Sequence, residues 1–145
     1  MTLFAIIKHS RQATLFAHKT ILKLPFVGKI LLRVILGRFT HILATTINAG
    51  VPITDALKSP ASAMDNLYIK QAINCVRQDV IGGISLHRAL AKQPVFPITL
   101  RQMVDVGEES GSLAPILEKA SQIYERDIAL VLDTIIPLIE PVMMI

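Results

Sequence analysis

The sequence predicts an all-α fold, a six-helix antiparallel bundle, and three observations carry that prediction. Apolar residues recur at steps of three and four through most of the chain. No stretch alternates apolar and polar residues over a strand's length. Glycines, prolines and cap-forming Ser or Asn interrupt the periodic segments and leave only short loops, as helical hairpins require. The 145 residues suit one domain, and 52% hydrophobic residues with a net charge of +4 exclude intrinsic disorder. A mean hydropathy of +0.52 is high for a soluble domain, so some apolar surface should meet more than its own core.

Ile35, Phe39, Ile42, Thr46 and Ala49 mark one face of the first bundle helix, which closes at Gly50. Pro52 presets the turn that follows, and a short helix from Thr54 to about Lys58 should break before Pro60. Ile69, Ile73, Val76 and Val80 place a long helix over 66–81, capped by Asp65 or Asn66 and stopped by Gly82-Gly83. Ser85 is the expected cap of a short helix through Leu86, Ala89 and Leu90. Pro97 opens the next helix, whose face is Leu100, Met103, Val104 and Gly107, and Gly107-Glu108-Glu109-Ser110-Gly111 reads as a turn. Ser112 caps the longest helix, with a face from Leu113 through Leu117, Ala120, Tyr124, Ile128 and Val131 to Ile135.

The ends differ from this core. No run of 18 apolar residues occurs, but Leu3–Ile7 and the stretch toward Met143-Met144-Ile145 resemble pieces of membrane helices. The expected division is a membrane-helix tail over 1–10, a basic connector over 11–34, the helical domain over 35–132 and the start of a membrane helix over 133–145. Residues 1–50 carry seven bases and no acid, whereas 101–145 carry three bases and eight acids. A basic start fits nucleic acid, an anionic surface or the cytoplasmic flank of a membrane segment.

Chemistry is sparse. The four histidines lie far apart with no metal-ligand spacing, and no phosphate-binding loop or nucleophile elbow occurs. Cys75 has no disulfide partner in the chain and reads as a buried thiol on its helix. Glu108 and Glu109 are the one acidic pair placed in a turn. They can be plain solvated residues of a turn between helices, hold a cation, share a proton, contact a partner or favour the positive end of the following helix. Little aromatic residue is interleaved with the bases, which disfavours nucleic acid.

Read in order, the motifs resemble a known family. They are Leu24-Pro25-Phe26-Val27-Gly28, Ala49-Gly50-Val51-Pro52, Val95-Phe96-Pro97, Gly107-Glu108-Glu109-Ser110-Gly111 and Glu140-Pro141. The set looks like the second domain of the type II secretion F-domain family, the inner-membrane platform proteins of type IV pilus and type II secretion machines. The resemblance implies a non-enzymatic scaffold in the bacterial inner membrane with its helical domain in the cytoplasm. Implied partners are a hexameric assembly ATPase, pilin subunits, other inner-membrane assembly proteins, membrane lipid and further copies of the chain, with no nucleic acid and no cofactor. Some family domains bind calcium through acids one turn apart on the helix after the Gly-Glu-Glu-Ser-Gly motif. Here Glu118 is followed one turn later by Gln122, so no metal is expected. The interaction motif carried over is Gly50, Pro52, Phe96, Pro97, Gly107, Glu108, Glu109, Ser110, Gly111, Glu140 and Pro141. Pilus assembly is the favoured machine. The secretion platform and a basic module for an anionic surface are the alternatives.

Overall fold

A computed structural model describes residues 15–20 and 27–143, and among these residues there are helices and no strand. The helices are α1 (Val27–Asn48), α2 (Ile53–Ala56), α3 (Lys58–Ala63), α4 (Leu67–Ile81), α5 (Leu86–Ala91), α6 (Ile98–Ser110) and α7 (Leu113–Met143), preceded by a helical stretch over 15–20. Each helix from α3 onward packs on the next, and α7 returns to lie along α1, so the bundle closes into a ring. α1 and α7 run antiparallel: His41 meets Glu118 at 3.3 Å, and a methyl group on Gly37 would stand 3.4 Å from Tyr124 Cβ.

That seam is narrow because its residues are small. Gly37, Thr40 and Ala44 of α1 and Ala120 and Ser121 of α7 are all buried. Thr40 returns its hydroxyl to its own helix, donating to the Leu36 carbonyl at 2.9 Å and to Gly37 at 3.1 Å. The centre is filled by Phe39 and Phe96, whose rings lie 5.3 Å apart at 42°, within a cluster including Leu36, Leu43, Leu90 and Leu117. Each such side chain contributes roughly 1.5–3 kcal/mol through burial.

Several expectations need correction. α1 starts at Val27 rather than within the 35–49 periodic segment, and Leu31 and Leu32 pack on the core. Its buried face is wider than a single stripe, taking in Leu36, Thr40, Leu43 and Ala44, while Ala49 is exposed. Nor is the basic connector purely a linker. The His18 ring accepts a bond from the Leu67 amide at 2.6 Å, and Lys19 lies 5.5 Å from the Tyr68 ring centre. Pro60 does not end helix formation; it sits buried in the first turn of α3, where no amide donor is needed. Cys75 is exposed, because it points away from the Ile69, Ile73 and Val76 face of α4. The expected membrane-helix tail over 1–10 lies outside the described residues. α1 is long and apolar enough to cross a bilayer, and 39% of that apolar stretch is buried in the bundle, Ile35, Leu36, Phe39, Leu43 and Ala44 included, while Val34 is exposed.

Candidate functional site

The Gly107–Gly111 segment is mostly helix. α6 continues through Ser110, and the reversal is confined to Gly111 and Ser112. Gly111 adopts the left-handed conformation, with φ at 69°, and the Ser112 amide bonds back to the Gly107 carbonyl at 3.0 Å. Gly107 is needed for a different reason. A Cβ there would meet Leu113 Cα at 3.1 Å and Leu113 Cδ1 at 3.2 Å, so its lack of side chain lets the start of α7 cross closely. Ser110 donates to the Val106 carbonyl at 2.8 Å, and its hydroxyl lies 2.6 Å from that of Ser112.

The two glutamates have separate fates. Glu109 is exposed. Glu108 turns back across the bundle to the start of α5, which has no acid in its first turn. Its Oε2 accepts from the Leu86 amide at 3.0 Å and its Oε1 from the His87 amide at 2.8 Å. The same Oε1 stands 2.9 Å from His87 Nδ1, and Asp105 Oδ1 approaches that nitrogen to 3.6 Å. A carboxylate suits this place because the first amides of a helix lack internal partners and carry partial positive charge. Ser85, the expected cap, makes no capping bond, and its buried hydroxyl has no partner. Glu108 therefore takes the Ser85 role from a distant helix and clamps α5 to α6.

The remaining motif residues fall elsewhere. Gly50, with φ at 89°, and Pro52, which precedes α2, form the reversal after α1. Phe96 is an anchor of the core, and Pro97 opens α6. Pro141 is exposed in α7, and Glu140 occupies the helical position before it. These residues do not form one cluster. The structure joins Glu108 to His87, a link that linear spacing did not reveal.

A groove between α6 and α7 is the other notable surface, lined by Met103, Val106, Ile116 and Ile123, with Lys119 and Asp127 also on its wall. Tyr124 belongs to it too, and its phenol is pushed up to about 12 by burial first and by Asp127 second. Among the described residues no three His, Cys, Asp or Glu side chains gather as a metal site would need. Glu118, on the helix after the Gly107–Gly111 segment, pairs with His41 at 3.3 Å.

Residues 39–145 match the family model described as type II secretion system, protein F. The chain belongs to the type II secretion protein F family. This F-family chain is 42% identical over 134 residues to a type 4 fimbrial assembly protein PilC of Pseudomonas putida, covering 92% of the chain and 33% of that protein. It is 38% identical to the type IV pilus assembly protein PilC of Pseudomonas aeruginosa, covering 94% of the chain and 37% of that protein. A type II secretion system protein F of Pseudomonas aeruginosa is 32% identical, over 88% of the chain and 32% of its own length. The F-family chain thus spans about a third of the length of these curated relatives.

Proposed function

We propose that this chain supplies the cytoplasmic helical domain of a non-enzymatic inner-membrane platform for type IV pilus assembly. On this reading the bundle receives force from a hexameric assembly ATPase and passes it to membrane segments that guide pilin subunits. The observation that carries the choice of machine is the order of similarity. Identity runs through 42%, 38%, 37%, 35% and 31% for five pilus assembly proteins, against 32%, 30% and 26% for three secretion proteins F.

Physical features support a scaffold. Neighbouring helices pack on one another around the ring, and Glu108 fixes α5, which is too short to hold itself in place. Residues 133–145 begin a C-terminal membrane helix on this reading. Leu132 and Ile136 are exposed, and only Glu140 is charged after Asp133. Lys29 and Arg33, at the same end of the bundle, suit the cytoplasmic side of a bilayer. Glu109 is the acid of the motif free to meet the ATPase, and the exposed Val106 and Ile123 offer apolar surface for self-association.

Exchange of this chain's 27–145 segment into a pilus PilC and into a secretion protein F tests the choice. Restored piliation with failed secretion is the expected pattern. Restored secretion with no pili would overturn it.

A further inference from the structure

α7 is a single helix of 31 residues containing two internal prolines, Pro137 and Pro141. Each proline lacks the amide that would bond to the carbonyl four residues earlier, so the Asp133 and Pro137 carbonyls lose their helical donors. The ring also presses on that carbonyl, and the helix bends away from the proline, typically by more than about 20°. Four residues separate the two prolines, which places them only about 40° apart around the axis. Their bends therefore add.

Two further observations give the bend a place and a direction. Pairing with α1 has a fixed register, with Gly37 beside Tyr124 and His41 beside Glu118. Extending it at one residue per residue brings the α1 start, Val27, opposite roughly residue 134 of α7. The prolines thus come just where support from α1 ends. Ile128, on the half-buried side of α7, lies nine residues before the exposed Pro137, which is about two and a half turns. Pro137 consequently occupies the side opposite the α1-packed face.

We propose that Pro137 and Pro141 form a directional hinge, letting the apolar end of α7 lean toward the start of α1 while the α1–α7 pair moves as one body. The hinge rests on the reading of residues 133–145 as the start of a membrane helix. It adds that the bundle tilts against its membrane anchor along one preferred direction.

The test uses a full-length pilus PilC carrying residues 27–145 of this chain, in nanodiscs, with spin labels at Lys29 and Met143. Relative to the parent, Pro137→Ala/Pro141→Ala should lengthen the label separation by about 2 Å, narrow its distribution, and lower piliation at least tenfold. Superimposable distributions or undiminished piliation would overturn the hinge. Ile136→Pro/Pro137→Ala keeps a break but turns its direction by about 100°. It should also lose piliation, and full piliation would overturn the directional claim. Resistance of the parent to carbonate extraction is measured separately, so a failed membrane reading is told apart from a failed hinge. If the double alanine variant does not insert, Pro141→Ala alone gives the same comparison with one break retained.

Discussion

Removing the Glu108 carboxylate should cost far more stability than removing the acid beside it. Glu108 is 26% exposed and accepts two backbone amides at the start of α5, besides its contact with His87. Losing a helix cap costs about 0.5–2 kcal/mol, and hydrogen bonds to a charged group contribute about 1.5–3 kcal/mol. The two estimates overlap on the same bonds, so Glu108→Ala should cost about 2–3 kcal/mol in total. For a chain of this size that lowers Tm by roughly 5–10 °C. Glu108→Gln retains one oxygen acceptor and should lose about half as much. Glu109→Ala, at an exposed position, should stay within about 0.5 kcal/mol of the parent. Urea unfolding followed by far-UV circular dichroism provides the comparison. Equal losses for the two alanine variants would refute the clamp and restore the motif to a solvent turn.

The other predictions use the same assay. Asn66→Ala should cost about 1 kcal/mol, because its side chain accepts from the Tyr68 amide at 3.0 Å and the Ile69 amide at 3.2 Å. Ser85→Ala should be close to neutral, since that hydroxyl caps nothing; a loss as large as for Asn66→Ala would contradict this. Gly111→Ala should cost about 1–2 kcal/mol for forcing a side chain into left-handed backbone, and Gly107→Ala about 1–3 kcal/mol for pushing α7 outward. The raised pKa of Tyr124 means the folded state holds its phenolic proton more tightly than the unfolded state. Its contribution is whole below pH 10.0 and is lost as pH climbs toward about 12. Tyr124→Phe should flatten that alkaline slope, and an unchanged slope would assign it to other groups.

Helix faces were legible because burial repeats along the chain. Ile69, Ile73 and Val76 of α4 and Leu100, Val104 and Gly107 of α6 are buried where their spacing placed them. Local punctuation was read less well. Ser85 had a plausible local reading, but the outcome was set by Glu108, distant in sequence, whereas Pro60 opens a second short helix by being in its first turn. Glu108 shows the limit most clearly. Its partners Leu86 and His87 are 22 and 21 residues away, and nothing in the spacing of acids states which helix start a carboxylate will reach. The clue lay in α5 itself, a six-residue helix with no acid in its first turn. The link from Arg77 Nε to the Thr54 carbonyl at 2.8 Å was equally hidden.

The antiparallel α1–α7 seam also sets how the bundle bears load. The start of α1 and the outgoing part of α7 leave the ring at the same end. Drawing those two exits apart peels the seam from that end, parting one layer of contacts at a time. Thrust along the pair is instead shared by every small-residue contact from Gly37 to Ala44 at once. A domain joined to its surroundings in this way transmits compression well and yields readily to separation of its two leads.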